Sequence, residues 1–241
     1  ASVLVDPYNV ESIVEGVKQG RKTYDNIKKI MEFFLAVNFS EIFLILISLI
    51  LGISFGAEKW FLPLFPLQIL WINLITDSFP ALSLIFEEGE NVMKSKPRKE
   101  NSLLNNIWKF ILIAGIVTLA VKLAVYLIGI NNAFSIEKTQ TLVLTTAVLF
   151  ELSFIYTCRS RKPLSKIGFF SNKWVNYAFV VSLLLHLILL YTPLGNFFGV
   201  IPLSFKDWLL IIPFAVSGLV IFEVGKMVKY KREKKSKSIK K

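Results

Sequence analysis

The chain reads as an all-α membrane protein with six transmembrane helices in three hairpins and a helical cytoplasmic stalk continuous with the first span. Three observations predict this. The 241 residues are 54% hydrophobic yet carry a formal net charge of +11, with a mean hydropathy of +0.58, a pairing foreign to soluble basic proteins. Six apolar runs, at about 31-54, 63-87, 106-130, 137-158, 174-192 and 206-228, each approach the ~20 residues that a bilayer core requires. Lys and Arg crowd into alternate connections between those runs, as the positive-inside rule demands.

Taken in order, residues 1-30 form a mixed segment. Val3 to Val5 suit a short strand, Pro7 and Asn9 a turn, and Val10 to Lys29 a helix with Ile13, Val14, Val17, Tyr24 and Ile27 on one side. Only Gly52 interrupts Arg21 to Ser54, so this helix is expected to continue unbroken into the first span and project beyond the membrane surface. Residues 31-228 make up the six-helix membrane domain, each span helical because lipid offers no partner to a free peptide group. Residues 229-241 form a basic cytoplasmic tail.

The N-terminal arm carries Lys18, Arg21, Lys22, Lys28 and Lys29, the second connection Lys94, Lys96, Arg98 and Lys99, and the fourth Arg159, Arg161, Lys162, Lys166 and Lys173. Loops near 55-62, 131-137 and 193-205 hold only Lys59 and Lys138, and Lys206 follows the last of them. Both termini are therefore expected in the cytoplasm, with those loops outward. The tail is a topology determinant lying on anionic headgroups, and nucleic-acid binding is disfavoured because no recognition module accompanies the charge. The single cysteine, Cys158, excludes a disulfide framework. No cleavable signal peptide is expected from the first residues. A phosphate-cradling glycine loop, a Ser/His/Asp set and a Cys/His metal cluster do not occur.

The second span contains L-W-I-N-L-I-T-D-S-F-P, residues 70–80. An ionisable residue at membrane depth costs roughly 2.5 to 3.5 kcal/mol unless it faces a polar interior, which marks Asp77 as functional. Asn73 and Thr76 add oxygen donors beside it, and Pro80 predicts a departure from regular helix that frees backbone carbonyls. In the first span Asn38 and Glu41 share one helical face; in the fourth, Glu151 stands between apolar flanks. Together Asn38, Glu41, Asn73, Thr76, Asp77 and Glu151 offer three carboxylates, two amides and a hydroxyl. Such donors suit a hard divalent ion, Ca2+ before Mn2+, and contain no thiolate or imidazole of the kind zinc or copper sites use. The same carboxylates without metal repel one another and take up protons, a route to proton counter-transport.

Other intramembrane polar residues receive plainer readings. Lys122 is placed to snorkel toward the outer surface and Lys109 toward the inner. His186 is a hydrogen-bonded packing residue, Glu223 pairs with Lys226 at a helix end, and Gly115 permits close helix approach.

The segments G-R-K-T-Y-D-N-I-K-K, A-V-N-F-S-E-I, P-L-Q-I-L-W-I-N-L-I-T-D-S-F-P-A-L-S-L and M-K-S-K-P-R, with H-L-I-L-L-Y-T-P-L and P-L-S-F-K-D-W later, resemble the C-terminal membrane half of P-type cation ATPases, the calcium pumps above all. The resemblance implies that the six spans correspond to helices five to ten of that family. It implies a first calcium site from Asn38, Glu41, Thr76, Asp77 and Glu151, and a second to which Asn73 and Asp77 contribute. Sodium pumps carry an acid at the position of Asn73, so the amide implies calcium. The family's D-K-T-G-T, T-G-E-S and T-G-D-G-x-N-D motifs do not occur in the chain; residues 1 to about 20 resemble only the tail of the phosphorylation domain.

The expectation is thus the transport portion of a P-type ATPase, a fragment or separately encoded piece, without ATPase activity of its own. Its partners would be the lipid bilayer and the N-terminal catalytic half, through which alone ATP and Mg2+ would act. In a prokaryote it would sit in the plasma membrane. A structural or regulatory membrane subunit and a gradient-driven cation transporter remain as alternatives; the missing inverted repeat argues against the latter.

Overall fold

The computed structural model describes residues 10–56, 60–89 and 107–239. The expected strand at Val3 to Val5, the turn at Pro7 and Asn9, and the basic residues Lys59, Lys94, Lys96, Arg98 and Lys99 lie outside them. Helix α1 runs over Val10–Phe55 without interruption. Its 46 residues amount to ~69 Å at 1.5 Å per residue, more than twice a ~30 Å hydrocarbon core. The second span is composite: α2 (Pro66–Trp71), a π-helical segment (Ile72–Ser78), α3 (Phe79–Ser83) and a 3-10 turn (Leu84–Phe86). There follow α4 (Trp108–Asn131), α5 (Ile136–Cys158), the short α6 (Leu164–Ile167), α7 (Lys173–Tyr191), the short α8 (Leu194–Phe198) and α9 (Phe205–Ile239). Six of these stretches are long and apolar enough to cross a membrane, and no strand occurs among the described residues. The protein is an integral, multi-pass, all-α membrane protein.

Helix α5 is the central post. Eighteen of its 23 residues are buried, and α1, α4, α7, α9 and the π-segment all pack against it. Ser135 starts it as an N-cap, its hydroxyl accepting from the Lys138 amide at 3.2 Å, which satisfies one of the amides left free in a first helical turn. Asn172 does the same for α7 through the amides of Trp174 and Val175. Close approach fixes two of the contacts. A Cβ on Gly115 of α4 would lie 2.6 Å from the Phe39 ring of α1, and one on Gly218 of α9 would lie 2.4 Å from the Phe150 ring of α5. The expected packing role of Gly115 is therefore observed. Apolar side chains such as Ile53, Leu70, Ile113, Val180 and Leu209 point outward, the surface that lipid covers.

The interior consists of two apolar clusters. One gathers Leu44, Ile72, Val125 and Leu144; the other gathers Val37, Ala81, Val121 and Phe154. Along α1, the second span and α4, the polar residues fall between the last member of one cluster and the first of the other: Glu41 between Val37 and Leu44, Thr76 and Asp77 between Ile72 and Ala81, Lys122 between Val121 and Val125. A polar layer thus separates two apolar ones.

At one end of the bundle the segments 60–65, 131–137 and 193–205 meet. Gln140 donates to Leu62 O at 2.7 Å, Gln68 to Phe198 O at 3.1 Å, and Tyr126 to Phe61 O. Lys138 pairs with Asp207 at 2.9 Å. The opposite end holds the second span's exit, the α5 C-terminus and the 168–172 turn. On the stalk, the apolar side expected to bear Ile13, Val14, Val17 and Ile27 is exposed, while Asn26 is the buried contact, donating at 2.9 Å to both Ile85 O and Glu87 O.

Candidate functional site

The second span supplies Asn73, Thr76 and Asp77 from its π-helical segment. Pro80, one turn further on, has no amide to give to the carbonyl one turn back and its ring crowds that carbonyl, so the hydrogen-bond ladder is re-spaced. A π-turn widens the helix by an extra residue per bond and occurs preferentially at functional sites. Side chains take over the disturbed carbonyls: Asn73 Nδ2 donates to Ile69 O at 3.0 Å, Thr76 Oγ1 to Ile72 O at 2.9 Å, and Ser78 Oγ to Asn73 O at 2.7 Å. The departure from regular helix expected between Asn73 and Pro80 therefore takes the form of a wide turn rather than an unwound gap.

Around this turn the acidic side chains are buried, Glu41 to 4% exposure, Asp77 and Glu151 to 0%. Asn73 Nδ2 lies 3.4 Å from Glu41 Oε2, which joins the second span to α1. Thr76 Oγ1 lies 3.3 Å from Glu151 Oε2, which joins it to α5. Glu41, Asp77 and Glu151 act on one another electrostatically, so all three share one neighbourhood. Both Asp77 carboxylate oxygens and Glu41 Oε1 are buried without a hydrogen-bond partner. Asn38 stands apart: it is half-buried and its amide donates to Phe34 O of its own helix at 2.9 Å. Among the described residues, no group of three or more His, Cys, Asp or Glu side chains is arranged to hold a metal ion.

Lys122 corrects one expectation. Placed by sequence as a snorkelling residue, it is instead fully buried, with Nζ 2.8 Å from Glu151 Oε1 and 3.8 Å from Glu41 Oε1. The physical reason is the surrounding charge: a buried ammonium is tolerated where carboxylates compensate it, and three lie around this one. The signal was available, since Lys122 sits as deep within its span as Glu151 does within its own, and an ionisable residue at that depth calls for a partner of opposite sign.

A second buried ion pair was also missed. Arg159, assigned to a basic connection, is fully buried and engages Glu87 through Nε at 2.9 Å and Nη2 at 3.2 Å. Its remaining donors reach Phe169 O and Ser171 Oγ, each at 2.5 Å, and Asn172 Nδ2 adds 2.7 Å to Glu87. This node closes the base of the second span, below Asp77. Glu32 of α1, 2% exposed, pairs with Arg161. The plainer readings of the sequence hold elsewhere: His186 Nε2 meets Thr145 Oγ1 at 3.2 Å in a buried contact, and Glu223 pairs with Lys226 at 2.8 Å while also accepting from the Leu164 amide at 2.6 Å.

Comparison with known proteins agrees with this architecture. The family described as "Cation transporting ATPase, C-terminus" matches residues 61–228. The chain is 33% identical to Calcium-transporting ATPase 1 of Bacillus cereus over 95% of its own length and 27% of that protein's. It is 34% identical to a calcium-transporting ATPase of Bacillus subtilis, over 87% of the chain and 23% of the relative. With Calcium-transporting ATPase type 2C member 1 of Pongo abelii it shares 31% identity, over 98% of the chain and 26% of the relative. The chain spans about a quarter of the length of these relatives. A membrane domain with a π-turn and a buried acidic layer, matched over more than half its length by that model, belongs to the P-type cation-transporting ATPases, as a C-terminal membrane region of the calcium-pump kind.

Proposed function

We propose that the chain is the transmembrane cation-binding and transport portion of a P-type ATPase, carrying Ca2+ with proton counter-transport, and that it works with an N-terminal catalytic half that supplies the ATP and Mg2+ chemistry. The observation that carries the reading is Asp77: a fully buried carboxylate with both oxygens free of hydrogen bonds, on a π-turn, among Glu41, Asn73, Thr76 and Glu151. A buried polar atom left unmatched is costly, and a divalent cation is the partner that oxygen donors of this kind accept. Asn38, on the face of α1 that carries Glu41, completes the ligand set when it releases its bond to Phe34 O. Mn2+ has the same donor preference and is a second cargo for the site.

Two further features support the partnership. The exposed apolar side of the stalk at Ile13, Val14, Val17 and Ile27 suits the docking of a catalytic domain. Helix α1 also runs unbroken from stalk to span and holds the second span's base through Asn26, so a pull on the stalk moves the helix that bears Asp77. Such a rod can convert a remote chemical event into altered carboxylate geometry. The charge distribution favours a cytoplasmic side for both termini, and in a prokaryotic source the membrane would be the plasma membrane.

The test is equilibrium binding of radioactive Ca2+ to the chain in lipid nanodiscs, with Mn2+ as competitor, for wild type and Asp77→Asn. Removal of the charge is expected to weaken binding at least tenfold. Equal binding by the two proteins would replace the transport reading with that of a structural membrane subunit.

A further inference from the structure

Glu151 and Asp77 differ in a way that divides the polar layer in two. Glu151 Oε1 accepts from the Lys122 ammonium at 2.8 Å, and its Oε2 lies 3.3 Å from Thr76 Oγ1, whose one proton is shared with Ile72 O at 2.9 Å. Neither Asp77 oxygen accepts a hydrogen bond, though the carboxyl adjoins that of Glu151, and Glu41 is split, with Oε2 facing Asn73 and Oε1 3.8 Å from the Lys122 ammonium. Ligand capacity therefore lies on the Asn73 and Asp77 side, whereas the side between Glu151 and Glu41 already holds a positive charge. An ammonium has three donors and no acceptor, so it cannot ligate an ion itself, and its charge repels a second cation brought to the same carboxylate.

We propose that Lys122 is a tethered internal cation, which fills the half of the polar layer between Glu151 and Glu41 and restricts the site to one divalent ion, held on the Asn73 and Asp77 side. The inference rests on the calcium reading given above. Charge points the same way. Three ionised carboxylates and one ammonium sum to −2, which a single divalent ion cancels, while two such ions would leave +2 in a layer bounded by apolar clusters above and below. Uncompensated charge in such surroundings is strongly unfavourable. Lys122 is thus a specificity-determining residue that sets how many ions the site takes.

The experiment measures saturation stoichiometry with radioactive Ca2+ on the full chain in nanodiscs, up to millimolar concentration, for wild type, Lys122→Met, Lys122→Gln and Lys122→Met combined with Glu151→Gln. Wild type is expected to saturate at one ion per chain. Lys122→Met and Lys122→Gln are expected to saturate at two, a doubling, and the added Glu151→Gln to return the value to one. Lys122→Gln retains an amide donor toward Glu151 and guards against loss of fold. A second readout is thermal melting: Ca2+ should raise the melting temperature of Lys122→Met more than that of wild type, because the ion takes over the ammonium's place. If wild type binds one ion and Asp77→Asn none, while both Lys122 variants still bind one, this inference fails and the calcium reading stands. If wild type and Asp77→Asn alike bind none, the calcium reading fails and takes this inference with it.

Discussion

Arg159→Met opens the buried node at the base of the second span. The guanidinium is fully buried and makes two bonds to Glu87 at 2.9 and 3.2 Å, with further bonds to Phe169 O and Ser171 Oγ. Its removal leaves Glu87, 7% exposed, with Asn172 as its remaining side-chain donor. Breaking a buried pair from one side costs about 3–5 kcal/mol, chiefly because a charge stays behind without compensation. At about 1.4 kcal/mol per tenfold, the folded-to-unfolded ratio should fall by roughly a hundredfold to a few thousandfold. The combined variant Arg159→Met with Glu87→Gln removes both charges and should recover most of that loss. Reversible unfolding in mixed micelles, followed through the five tryptophans, gives each free energy, and a double-mutant cycle gives the coupling. A cost under about 1 kcal/mol for Arg159→Met, or strict additivity in the cycle, would refute the reasoning.

Gly218→Ala should destabilise by about 1–3 kcal/mol, since the new Cβ meets the Phe150 ring at 2.4 Å in a well-packed core; thermal exposure of buried Cys158, read with a thiol-reactive dye, checks it, and an unchanged melting curve would contradict it. Lys138→Met should cost less than about 1 kcal/mol, because its pair with Asp207 at 2.9 Å is partly solvated on the lysine side; unfolding at low and high salt should show that small difference shrinking further. His186→Gln should leave Ca2+ affinity within twofold of wild type, since its ring meets Thr145 and no carboxylate; a tenfold loss would make the histidine part of the site.

The spans were legible because hydropathy and length act locally. The run expected at 137-158 became Ile136–Cys158, and that at 174-192 became Lys173–Tyr191. The apolar run at 206-228 is only part of its helix, since α9 continues to Ile239 on Lys, Arg and Glu side chains that favour helix but do not raise hydropathy. The disturbance near Asp77 was also legible, through Pro80. What escaped was rotation about helix axes. Hydropathy locates Lys122 and Arg159 in depth but does not say which neighbour each faces, and both turned out to face carboxylates supplied by other helices. Long-range pairs of this kind depend on how six helices assemble. Asn38 is a similar case: helical spacing put it on the face of Glu41, but its amide donates to the Phe34 carbonyl of its own helix.

The most direct measurement is the structure of the chain determined with saturating Ca2+, its ion located by anomalous scattering. The expected result is a single ion with Asp77 oxygens at about 2.3–2.6 Å, and Lys122 Nζ still bonded to Glu151. An ion out of reach of Asp77, or one seated between Glu151 and Glu41 with Lys122 displaced, would contradict the assignment of this layer.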